Sequence, residues 1–143
     1  MLTPRDYHCS CAIQSDDGLT KCVILMGGTT NKGRFSKSTA ILNLKDKKWV
    51  QGPLLPEGIE DAACVAQPPK CDLACVVVGG ETGGESFSLN VYGLNKTLTK
   101  WYTLGKIKTV RRRHIALPRS YLEIKNLFLT FCLRSLVRKI LFC

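Results

Sequence analysis

The sequence predicts an all-β protein built from a repeated unit of about fifty residues, and three observations carry that prediction. One apolar run ends in two glycines at Cys22-Val23-Ile24-Leu25-Met26-Gly27-Gly28. A second does the same at Ala74-Cys75-Val76-Val77-Val78-Gly79-Gly80, 52 residues on (27 to 79). The only two tryptophans, Trp49 and Trp101, are separated by the same 52 residues (49 to 101). In each unit the second glycine precedes the tryptophan by 21 residues (28 to 49, 80 to 101), so independent landmarks share one period.

Each unit reads as four short strands. In the first, residues 7–13 are followed by the polar turn Ser15-Asp16-Asp17-Gly18 and then by residues 21–26, aliphatic, β-branched and too short for a helix. The glycine pair closes that strand where the backbone turns sharply or passes close to a neighbour. A polar loop over 29–37 leads to a strand at 38–44, and the charged turn Lys45-Asp46-Lys47-Lys48 delivers Trp49. The second unit repeats the order: a strand at 61–66, a turn through Pro68-Pro69-Lys70, strands at 73–78 and 86–94 around the loop Glu81-Thr82-Gly83-Gly84-Glu85, and a last strand at 101–104. No helical spacing appears before about residue 122.

An apolar strand ending in Gly-Gly, a tryptophan about twenty residues later and four strands per unit at this period resemble the kelch repeat. Arg5-Asp6-Tyr7-His8 and Arg112-Arg113-His114 look like that family's first-strand opening, whereas Glu60-Asp61-Ala62 does not. The family's aromatic some six or seven residues before the tryptophan is also missing: Leu42 or Leu44 stands there in unit one, and Tyr92 lies nine before Trp101. The resemblance implies a partial β-propeller: two four-stranded antiparallel blades, about 5–57 and 58–110, and the first strand of a third at 111–118. It also implies that Gly27, Gly28, Trp49, Gly79, Gly80 and Trp101 pack the blades around a central channel.

The composition agrees. In 143 residues, 45% are hydrophobic and 22% charged, which suits a globular domain rather than a disordered chain. Residues 1–11 hold Pro4, Arg5, Asp6 and His8 where a signal peptide would be apolar, so a cytoplasmic location with reduced thiols is expected. The net charge of +10 is uneven. Residues 1–60 carry 8 basic and 6 acidic side chains, 61–104 carry 3 and 4, and 105–143 carry 10 and 1. The basicity therefore belongs to the C-terminal stretch, and nucleic acid is not an expected partner.

Several tempting sites have plainer readings. The glycine pairs are followed by polar loops and strands, not by the helix N-terminus that a phosphate site needs. Cys9/Cys11 and Cys71/Cys75 lack the spacing of zinc-binding pairs, and Cys11, Cys22, Cys64 and Cys75 sit in apolar strands as small hydrophobes. No metal, cofactor or catalytic residue is expected. His8 and His114 occupy equivalent positions, which points to structural hydrogen bonding. Of Arg111, Arg112 and Arg113, one belongs to the repeat and the others read as solvated. Asn95-Lys96-Thr97 fits a glycosylation sequon, idle in a reduced compartment.

Residues 119–143 break the repeat. Leu129, Cys132, Leu133, Leu136, Val137, Ile140 and Cys143 share one helical face, so a basic amphipathic tail outside the repeat is expected. Arg134, Arg138 and Lys139 interrupt it before it could span a membrane, and membrane binding is not favoured.

The function expected is binding another protein, as implied by the family's use of strand-linking loops. The candidate contacts are Thr29, Asn31 and Arg34 in one loop and Glu81, Thr82 and Glu85 in the next. The resemblance extends to substrate adaptors of ubiquitin ligases and to actin-binding proteins. The alternative is a fragment of a propeller enzyme, an oxidase or isomerase, whose catalytic residues lie in other blades. Two blades leave apolar faces without neighbours, so self-association through those faces is expected as well.

Overall fold

The computed structural model describes residues 2–14, 19–31, 33 and 35–116. The turn at 15–18, Arg34, residues 117–118 and the tail at 119–143 lie outside the described residues. Among those described, the chain is all-β with no helix. Twelve strands follow one another: β1 (Arg5–Asp6), β2 (Cys9–Gln14), β3 (Thr20–Met26), β4 (Thr29–Thr30), β5 (Thr39–Asn43), β6 (Lys48–Gln51), β7 (Ala63–Ala66), β8 (Leu73–Val78), β9 (Glu81–Gly83), β10 (Ser86–Phe87), β11 (Asn90–Asn95) and β12 (Trp101–Lys106).

Eight of them form two antiparallel four-stranded sheets, each in simple sequence order: β2-β3-β5-β6 and β7-β8-β11-β12. The registers repeat. Ile24 faces Ile41 and Leu42 faces Trp49 in the first sheet, and Val76 faces Gly93 and Leu94 faces Trp101 in the second, each pair 52 residues on. Only the opening hairpin differs. Cys9 faces Met26 and Ala63 faces Val78, separations of 17 and 15, so the first unit's hairpin is two residues longer.

The apolar runs are continuous rather than alternating because both faces of a central strand are covered. In the first sheet Cys9, Ile13, Cys22, Ile24, Met26 and Ile41 point one way. They pack against Cys75, Val77, Tyr92, Leu94 and Trp101 of the second sheet in one core, with Leu55 and Ile59 of the connecting segment closing it. The second sheet's other face carries Val76, Val78 and Val91, with Val65, Leu73 and Ile107 packed on them. Corresponding faces are therefore used in turn, one unit's back against the next unit's front.

The glycine pairs set the spacing between units. Gly27 and Gly79 lie at φ +66° and +64°, in left-handed backbone that side chains rarely adopt. A methyl group on Gly27 would collide with the Ile59 carbonyl oxygen, and one on Gly79 would lie 2.8 Å from that of Arg111. That close approach supports a repeated set of bonds. The Gly28 amide donates to Ile59 O at 2.7 Å and the Gly80 amide to Arg111 O at 2.8 Å. Tyr7, Asp61 and Arg113, at corresponding positions, all have left-handed backbone, and each accepts or donates in turn: Asp61 N to Tyr7 O, and Arg113 N to Asp61 O, both 2.9 Å.

The structure revises several expectations. The strand predicted at 7–13 begins at Cys9, because Tyr7 leaves extended geometry. The strand predicted at 86–94 is split into β10 and β11 at Ser88, whose buried hydroxyl accepts from the Asn90 amide. The loops predicted at 29–37 and 81–85 contain β4, which pairs with β1, and β9, which pairs with β10. Residues 111–116 carry no strand, since none of the described residues offers them a ladder partner, although Arg111 and Arg113 make the junction bonds above.

Gly79→Ala is expected to cost roughly 2–4 kcal/mol, from left-handed strain plus the clash with Arg111. Gly84, at φ +57° with open space around it, should cost only about 1–2 kcal/mol when changed to Ala. Urea midpoints of the two variants make the comparison; equal losses would show that the close approach at the junction carries no energy.

Candidate functional site

The two loops nominated by the sequence meet at the glycine end of the sheets. Phe35, bridged to Thr29, lays its ring against Gly83: a Cβ there would fall 2.9 Å from the ring. Thr29 donates its hydroxyl to the Glu60 carboxylate. Glu60 and Glu81 exchange both backbone bonds, at 3.0 and 2.9 Å. Glu81 then pairs with Arg112 at 2.7 Å, and Arg112 stands 5.6 Å above the Phe87 ring. Arg113 donates to the Asp61 carboxylate at 2.8 Å. One surface thus runs from the first loop, across the start of the second unit, to residues 112–113.

The six nominated contacts divide on this surface. Thr29 and Glu81 direct their side chains into the junction. Asn31 and Glu85 are exposed and Thr82 is half-buried, so these three remain open to a partner. Arg34 lies outside the described residues. Glu85 turns the chain with φ +63°, which fixes its direction.

A second cluster lies beside it. The Glu57 carboxylate accepts from Ser88 Oγ, from Asn90 Nδ2 at 3.2 Å and from Tyr92 Oη at 2.9 Å. It fastens the segment between the units to the split between β10 and β11. Burial, and then the adjoining carboxylate, push the Tyr92 phenol up to about 12, because both disfavour the phenolate. Arg5 plays a similar part in the first unit. Its guanidinium is buried and donates to Gly27 O and Ser38 O, both at 3.0 Å.

The tryptophans are not alike. Trp101 is 8% exposed, belongs to the core between the sheets and donates its indole N–H to Pro53 O of the first unit at 3.1 Å. Trp49 is only half-buried. It holds the same register place, but no earlier sheet stands against its face among the described residues. Arg112 and Arg113 are exposed to solvent, as the sequence suggests, and both are also ion-paired. His114 finds no hydrogen-bond partner for either ring nitrogen among the described residues; the ring packs over Gly79 instead. Nothing in the repeat marked Glu57 or Phe35. A signal for the Asp61–Arg113 pair was present: Glu60-Asp61 and Arg112-Arg113 stand 52 residues apart with opposite charge.

No protein-family model matches the chain, and no curated protein matches it. No helix among the described residues is long and apolar enough to cross a membrane.

Two outcomes are expected. Trp101→Ala should cost about 3–5 kcal/mol, as for buried aromatics elsewhere, and Trp49→Ala clearly less; similar denaturation losses would contradict their different burial. The raised Tyr92 pKa means that the folded state holds this proton more tightly than the unfolded chain, whose value is near 10. Its contribution to stability is therefore complete below pH 10 and lost as pH rises toward about 12. Tyrosinate absorbance at 295 nm should show one late-ionising tyrosine, and Glu57→Gln should bring that ionisation earlier.

Proposed function

We propose that this chain is part of a kelch-type β-propeller that binds another protein through its strand-linking loops. One observation carries the reading. Two four-stranded meanders with the same register stack back to front and are joined by the same glycine-pair junction at both ends of the second unit. Units that each need a neighbour on both faces are the elements of a closed ring, and propellers typically use about four to eight of them. Blades over 5–57 and 58–110, with a third opening at 111–118, are the corresponding division of the chain. Further blades come from a longer parent protein or from other copies of the chain.

In such a ring the loops bear on the partner while the strands bear the fold. Asn31, Thr82 and Glu85 are the contacts of choice, being the nominated loop residues with side chains not engaged in the junction. Their mixed polar and acidic character suits a protein surface more than a nucleic-acid backbone. Substrate recognition for a ubiquitin ligase and attachment to actin are the roles that the kelch resemblance favours, in the cytoplasm.

Binding is tested with a triple variant, Asn31→Ala, Thr82→Ala and Glu85→Ala. A partner recovered by cross-linking to the native chain should lose at least tenfold in affinity for this variant, with its denaturation midpoint unchanged. The turn at 44–47 lies at the other end of the first sheet, so Lys45→Ala with Lys47→Ala should bind normally. If the lysine variant loses the partner and the loop variant keeps it, the glycine-end loops are not the binding surface.

A further inference from the structure

Five cysteines converge where the two sheets meet. Cys9 and Cys11 alternate along β2 toward the second sheet, and Cys22 sits beside them on β3. From the other side come Cys64 on β7 and Cys75 on β8. Cys9, Cys22 and Cys75 belong to the buried core, with Cys11 and Cys64 packed against it. The Cys75 thiol donates to the Met26 thioether at 3.8 Å. All five are free thiols.

The arrangement distinguishes one pair. β2 and β7 are the edge strands of their sheets and face each other across the joint. Cys11 and Cys64 are the two members left half-buried rather than fully buried. Their thiols interact with each other, and each also meets one further cysteine, Cys75 for Cys11 and Cys9 for Cys64. No three His, Cys, Asp or Glu among the described residues are arranged to hold a metal ion.

We propose that Cys11 and Cys64 form a dithiol that hydroperoxides oxidise to a disulfide linking the two sheets. One thiol loses its proton and its sulfur attacks a peroxide oxygen. The S–O bond forms, the O–O bond breaks, and the leaving oxygen departs as water or alcohol. The second sulfur then attacks the sulfenic sulfur, forming the S–S bond and releasing the sulfenic oxygen as water. Two thiols are oxidised by two electrons and one peroxide is reduced. The Cys64 thiol and burial hold Cys11 above the ordinary thiol range. Cys11 itself lowers Cys64, but Cys9 and burial together hold Cys64 above that range too, so the reactive thiolate is scarce at neutral pH. The reaction is accordingly slow and accelerates as pH rises. The bridge closes 53 residues (11 to 64) and joins strands already packed together, so it stabilises the folded sheets.

The test uses the full chain and hydrogen peroxide. After treatment, remaining thiols are alkylated under denaturing conditions and the digest is mapped without reduction. The expected product is a peptide pair joined through Cys11 and Cys64, lighter by two hydrogens than the separate peptides, formed faster at pH 9 than at pH 7. Dithiothreitol should reverse it, and the bridged protein should need more urea to unfold than the reduced one. Cys64→Ala and Cys11→Ala should each abolish the pair, while the native map stands independently if either variant misfolds. Recovery of both cysteines as alkylated thiols, a bridge to any other cysteine in place of this one, over-oxidation of Cys11 without bridging, or a bridged form less stable than the reduced one would each overturn the proposal.

Discussion

The spacing between the two sheets depends on backbone touching backbone at the glycine pairs. Gly27 must admit the Ile59 carbonyl and Gly79 that of Arg111, at distances that leave no room for a Cβ. Once the chain passes that close, the amides of Gly28 and Gly80 have a partner in the next segment rather than in their own sheet. The left-handed residues Tyr7, Asp61 and Arg113 follow from the same constraint. At Asp61 the chain bends sharply, out of extended geometry, to enter the second sheet just after crossing the first. A side chain at φ near +50° is strained by about 1–2 kcal/mol, and the successive Asp61-to-Tyr7 and Arg113-to-Asp61 bonds offset it.

Fixing that distance dictates the side chains between the sheets. The joint is lined by many small or slender groups, among them Ala62, Cys64, Ala66, Ala74, Cys75 and Val77, with the longer Ile24, Met26, Leu94 and Trp101 filling the wider parts. Thiols suit such a place because they are nearly as small as alanine yet bury apolar, polarisable surface. The same packing that makes cysteine acceptable as filler brings five sulfur atoms together. A cluster selected for volume has thereby acquired chemistry that volume alone does not require.

Much of this was legible in the sequence because the repeated landmarks are the residues with the least freedom. The glycine pairs must recur where the backbone crosses, and the apolar runs before them must recur where a strand is covered on both faces. Strand β8 lies where the sequence puts it, at 73–78, for that reason. Features that depend on what stands next to a unit were not legible. Trp49 and Trp101 are one residue type in one register, and differ only because Pro53 and the first sheet cover the second of them. The short strands β4 and β9 read as loops because Thr29-Thr30 and Glu81-Thr82 are polar; β4 takes its pairing from the distant Arg5 and Asp6, and β9 from the neighbouring Ser86 and Phe87. Glu57 could not be found at all, since its role rests on Ser88, Asn90 and Tyr92 converging on one carboxylate.

The opposite charges of Glu60-Asp61 and Arg112-Arg113 give the junction a direction. If every unit began with the same charged pair, successive starts would place like charges side by side, and the crossing would be destabilised. Here acidic residues begin the second unit and basic ones follow at the next crossing, so Asp61 meets Arg113 and Glu81 meets Arg112. Such half-exposed pairs add little to stability. Their stronger effect is on which segment can follow which, since a segment opening with carboxylates would be repelled from the place that 111–113 occupies. The glycine pair makes the crossing sterically possible for any chain, and the opposite charges at this second crossing select among the chains that could use it.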